Sequence, residues 1–191
     1  MKVNRVVFFI LILWFVTAFL LGLSGAVSKL IPPQPQIIIF ILVITLLIFF
    51  NLINTLKSWI YSINIKYLVA VHISRLVGIY FLVLYTRKLL PYDFAVKGGL
   101  GDIFIALTAL ILIIFISNVS SVNYKIYFLW NTIGFIDIVF VVLTAARIGL
   151  KNPQEISELF KLPLSLLPTF LVPIIIFTHI IIFIRLFRSK N

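Results

Sequence analysis

The sequence predicts an all-α fold: an integral membrane bundle of six transmembrane helices, with a short interfacial helix before the last span. Three observations carry that reading. Of 191 residues, 63% are hydrophobic and 11% charged, whereas a soluble domain is nearer half apolar and a quarter charged. The apolar runs are continuous rather than alternating, which favours helices over a membrane barrel. Finally, the net charge of +11 comes from cations standing singly or in pairs at the edges of those runs. Interfacial anchoring explains such charge, and no nucleic acid is expected as a partner. The lipid bilayer is.

Each span needs roughly 18–24 residues to cross about 30 Å of hydrocarbon. The first, 6–23, follows Lys2 and Arg5; it is read as a retained helix. The small residues Ser24, Gly25 and Ala26 leave a cleaved signal peptide as the alternative. Pro32-Pro33-Gln34-Pro35 then reads as a stiff, extended connector. The second span is 37–56, and Trp59 and Tyr61 in the loop after it read as interfacial anchors. The third span is 67–86. The next loop, 87–102, carries Pro91, Gly98, Gly99 and Gly101 as turn formers, and Asp102 is expected to cap the fourth helix, 103–117. The fifth span is 126–146. Asn152, Pro153 and Glu155 form a helix-start pattern, so 153–160 reads as the interfacial helix, with Ile156, Leu159 and Phe160 facing lipid or protein. The sixth span, 162–184, contains Pro168 and Pro173 and is expected to kink or locally unwind. Residues 1–191 thus form a single transmembrane domain. An even number of spans puts both termini on one side, and the basic residues at both ends make it the cytoplasmic side of a cell membrane by the positive-inside rule.

Inside these runs lie ionisable groups that hydrocarbon penalises by roughly 2.5–3.5 kcal/mol each, so they are expected to face the protein interior. They are His72 and Arg75 in the third run, Asp137 in the fifth and His179 in the sixth. Counting from the flanking cations Lys57, Lys66, Lys125 and Arg185, the residues Asn51, His72, Asn131 and His179 fall at one depth, about 9 Å from the edge. Arg75 lies one turn deeper on the face of His72. Asn131, Gly134 and Asp137 form one stripe on the fifth helix. Arg75 and Asp137 are the expected ion pair. The candidate ligand or ion-pair cluster is therefore His72, Arg75, Asn131, Asp137, His179 and Asn51. Its bland counterpart is polar glue that joins helices and fixes their register.

From His72 to Arg185 the chain resembles a family of small, uncharacterised bacterial multi-pass membrane proteins. The resemblance rests on Arg75-x-x-Gly78, Leu90-Pro91-x-x-Phe94-Ala95, Gly99-x-Gly101-Asp102 and Trp130-Asn131-x-x-Gly134-x-x-Asp137. It continues through Leu167-Pro168-Thr169-Phe170-x-Val172-Pro173 and His179. It implies a bacterial multi-pass protein, for which a cell inner membrane is the expected location, and brings no activity with it.

Three functions compete. A polar intramembrane cavity would bind or move a small molecule, ion or proton, with His72 or His179 exchanging protons and Arg75 holding an anion or Asp137. A structural or assembly subunit would use the same residues as register marks, and a homodimer or membrane-protein partner fits so small a bundle. A membrane enzyme on a lipid-like substrate would need a general base such as Asp137 or His179. No catalytic residue can be assigned, because the catalytic signatures are absent. With no cysteine in the chain and no His-Glu-x-x-His motif, no metal site is expected, and the cofactor is unknown. The two histidines at matching depth do meet the minimum for a bis-histidine b-type haem.

Overall fold

The computed structural model describes residues 2–116 and 123–190, and the side chains of 3–116 and 123–188. Among the described residues the longer helices are, in order, α1 Lys2–Leu23, α2 Gln34–Leu52, α3 Asn54–Ser62, α4 Ile65–Thr86, α5 Asp93–Phe115, α6 Tyr124–Lys151 and α7 Leu167–Arg188. All but α3 are long and apolar enough to cross a membrane. The expected end of the fourth span at Ser117 lies outside the described residues.

Helices α4, α5, α6 and α7 close a ring, each packed on the next and α7 back on α4. Helix α2 lies outside the ring against α7. Helix α1 touches the assembly along one edge, where Ala18 is buried and the Trp14 indole donates 2.9 Å to the Thr169 carbonyl. Most of its Leu, Ile and Phe side chains stay exposed, as lipid-facing residues of a spanning helix do.

Burial along α4 has a period of three: Val69, His72, Arg75, Gly78, Phe81 and Leu84 are all buried. In an α-helix neighbours three apart share a face, but over several turns a strict three-residue repeat drifts round the axis. Residues Val71–Leu76 instead form a 3₁₀ turn, in which residues three apart eclipse. His72 and Arg75 therefore point into the ring together.

Several boundaries differ from the sequence expectation. Gln34 and Pro35 begin α2 rather than a connector; proline suits a first turn, whose amides have no helical partner. The second apolar run breaks at Ile53, and Trp59 and Tyr61 belong to the separate helix α3. The Ile60 and Ile63 carbonyls at the end of α3 accept from Arg185 at 3.3 and 2.8 Å. The largest correction concerns 93–102, expected as loop and cap. It is already helix α5, opening with a π-helical turn over Asp93–Gly98. Its glycines serve close packing: a Cβ on Gly99 would stand 2.9 Å from the Gly78 carbonyl oxygen, so two backbones meet where any side chain would separate them. A second π turn, Leu167–Leu171, opens α7 around Pro168. Between α6 and α7, Pro153–Phe160 is a 3₁₀ helix started by Asn152, whose side chain accepts from the Gln154 amide at 3.2 Å. Ile156, Leu159 and Phe160 turn inward onto Phe81, Phe94 and Ile148.

Candidate functional site

The ring is apolar at both ends and polar in the middle. One cluster holds Phe81, Leu90, Phe94 and Ile156 near the 3₁₀ helix. Another holds Ile65, Leu112, Tyr127 and Leu186 at the opposite end. Between them Arg75, 1% exposed, makes three contacts. Its Nε donates 2.6 Å to Asp102 Oδ1, its Nη1 donates 2.9 Å to the Gly134 carbonyl, and its Nη2 pairs with Asp137 Oδ2. One guanidinium thus faces two carboxylates, a formal balance of −1. Asp102 is sealed, its side chain 5% exposed, while that of Asp137 is 17% exposed at the α5–α6 seam.

Helix geometry explains the convergence. The 3₁₀ turn aims Arg75, and the Gly78–Gly99 contact brings α5 close enough for Asp102 to reach its Nε. Gly101 makes room for Asp137, because a Cβ at 101 would overlap Asp137 Oδ1. Asp102 was expected as a cap, but it lies inside α5, away from the free first-turn amides, and its carboxylate is engaged by Arg75. Sequence reasoning missed it as a member of the centre. The available signal was the apolar Phe94-Ala95-Val96 before the glycines, which allows the helix to begin earlier.

One turn from Arg75 along α4 the histidines meet, both fully buried, with ring centroids 4.1 Å apart and planes tilted by 45°. Asn131 fixes His179. Its Nδ2 donates 3.0 Å to the His179 carbonyl, so its Oδ1 must accept from His179 Nδ1, 2.8 Å away. The Thr178 hydroxyl donates 2.9 Å to the Ile175 carbonyl, so at 3.3 Å it accepts from His72 Nε2. The neutral tautomers follow: Nδ1–H on His179 and Nε2–H on His72. His72 Nδ1 is then a buried acceptor without a partner among the described residues. Trp130 stands edge-on to His72 at 5.2 Å, and a Cβ on Gly134 would come within 2.7 Å of His179 Cε1.

The expected cluster is therefore assembled in part. His72, Arg75, Asn131, Asp137 and His179 converge, and Asp102 joins them. Asn51 does not: it is exposed on α2, and its amide donates 2.9 Å to the Leu47 carbonyl of its own helix. The haem reading fails on geometry, because the two rings lie against each other with no layer between them for a macrocycle.

On the other side of the ion pair, toward the 3₁₀ helix, lies a cavity of about 60 Å³. Arg75, Asp102 and Gln36 are its polar lining; the rest is aliphatic or aromatic.

A family model described as a domain of unknown function, DUF8737, matches residues 32–187, which contain the whole polar centre. No curated protein and no solved structure matches the chain.

Proposed function

Because the chain belongs to the DUF8737 family, whose function is unknown, we propose its function from the site alone: a multi-pass membrane protein that binds and releases a proton, or a small cation in its place, at the Arg75–Asp102–Asp137 centre. One observation carries this reading. Two carboxylates share one guanidinium in the interior of an apolar ring, and an uncompensated charge there is costly. A proton on one carboxyl removes the excess, and loss of that proton calls for a cation. The partly open Asp137 is the group through which exchange with the surroundings runs. The histidine pair and Asn131 hold the opposite side of Arg75.

Infrared difference spectroscopy of the protein in lipid, titrated from acid to alkaline pH, tests this. A protonated-carboxyl stretch should appear and vanish within the range in which the protein stays folded. It should change in Asp102→Asn or Asp137→Asn. A centre with no carboxyl signal at any pH would overturn the reading.

The same reading takes residues 1–191 as one membrane unit, with the 3₁₀ helix Pro153–Phe160 lying along a membrane face and both termini cytoplasmic in a bacterial inner membrane. The chain contains no cysteine, so single Lys57→Cys and Lys88→Cys variants report the two faces by labelling with an impermeant thiol reagent. Labelling of both from the same side would reject the topology.

A further inference from the structure

The cavity beside the ion pair has a chemical character that the charge centre alone does not explain. Its walls come from five helices and the 3₁₀ segment, with Ile39, Phe81, Phe94, Ile138, Phe160 and Ile175 among them. A wholly apolar cavity of this kind stays dry. This one instead meets the Asp102 carboxylate and Arg75 in its wall. Gln36 lies at the first turn of α2, and its Oε1 is buried without a partner among the described residues. The free space of about 60 Å³ suits a small molecule rather than a long acyl chain.

Charge selects among ligands of that size. An anion would face the Asp102 carboxylate, while Arg75 already directs Nε, Nη1 and Nη2 at three acceptors. A neutral alkane would leave the excess negative charge and the Gln36 carbonyl unanswered. A cation that donates hydrogen bonds answers both.

We propose that this cavity binds a small aliphatic ammonium ion, with its ammonium group at the Asp102 carboxylate and its alkyl chain among Phe81, Phe94 and Ile138. The assignment rests on the charge reading above and names the ligand class of that centre. The ammonium ion takes the place of the site's proton, so one proton leaves for each ion bound, and acid competes with binding.

Three probes of matched length separate the alternatives: butylammonium, 1-butanol and butyrate, each added to the full-length protein in lipid nanodiscs and followed by calorimetry. Butylammonium should bind at least about tenfold more tightly than the other two. Its affinity should fall as pH is lowered, and the heat measured in buffers of different ionisation enthalpy should report one proton released. Ala145→Leu, which fills the wall of the cavity away from the charges, should abolish binding and preserve the carboxyl infrared signal. Equal binding of 1-butanol, or unchanged butylammonium binding in Ala145→Leu, would overturn the assignment. So would a carboxyl signal that titrates in a protein to which butylammonium does not bind; that result would leave the proton-binding reading standing. A missing carboxyl signal would remove the reading itself.

Discussion

Gly78 and Gly99 touch backbone to backbone, and that contact sets the distance at which Arg75 meets Asp102. A Cβ on either glycine would press on the other's carbonyl oxygen, and a carbonyl cannot swing aside as a side chain can.

Gly78→Ala and Gly99→Ala should each destabilise the protein by about 1–3 kcal/mol, the usual range for overpacking. Gly98→Ala is the control. Its Cβ would stand 3.2 Å from Val141 Cγ2, a side chain that can yield. Unfolding in detergent monitored by circular dichroism checks the order. A Gly98→Ala loss equal to the other two would show that helix propensity, not contact, controls the result.

The three charges should respond as a unit. Arg75→Leu strands the buried Asp102 carboxylate together with the part-buried Asp137 and should cost about 3–5 kcal/mol, the range for an uncompensated buried charge. Asp102→Asn and Asp137→Asn should each be milder, because either leaves a balanced pair. The double Asp→Asn variant strands Arg75 and should be worse than the sum of the single losses. Additivity across this cycle in denaturant unfolding would reject a shared charge balance.

The chain contains two histidines, so ¹⁵N-histidine labelling yields a spectrum of only those two residues. At neutral pH, His179 should carry its proton on Nδ1 and His72 on Nε2. In Asn131→Leu the His179 preference should disappear, with a loss of about 1–3 kcal/mol for unsatisfied buried groups. An Nε2-protonated His179 in the unaltered protein would contradict the Asn131 arrangement.

The exposed pairs at the start of α5 supply the contrast. Asp93 contacts Lys97 at 2.7 Å and Arg147 at 2.9 Å, yet all three side chains are largely exposed. Asp93→Ala should change stability by less than about 1 kcal/mol, and by less still in high salt. A loss comparable to that of Arg75→Leu would mean that this end of α5 matters more than its exposure suggests.

Much of the fold was legible in the sequence because apolar runs of membrane length are hard to disguise. The inward faces of α4, α6 and α7 were legible too, since single ionisable residues in hydrocarbon have few places to point. Asn51 misled because depth was counted from cations, and depth says nothing about which side of a helix faces the ring. Asp102 was hidden by the glycines before it. In water-soluble loops they signal turns, whereas between membrane helices they signal contact. The 3₁₀ turn that aligns His72 with Arg75 leaves no compositional mark, and the unpartnered Gln36 oxygen depends on neighbours remote in sequence.

The π turn at Asp93–Gly98 carries one further consequence. A π turn winds more chain into a given length of axis than an α turn does, so α5 holds a spare residue upstream of Asp102. If the connection at 87–92 were shortened by a residue, the turn could tighten to α geometry and release that residue. The part of α5 pinned by Gly99 would keep its rotation, and Asp102 would still face Arg75. Length variation on this side of the bundle should therefore be absorbed as slack, whereas an insertion or deletion between Gly99 and Asp102 has no such reserve and would turn the carboxylate toward lipid.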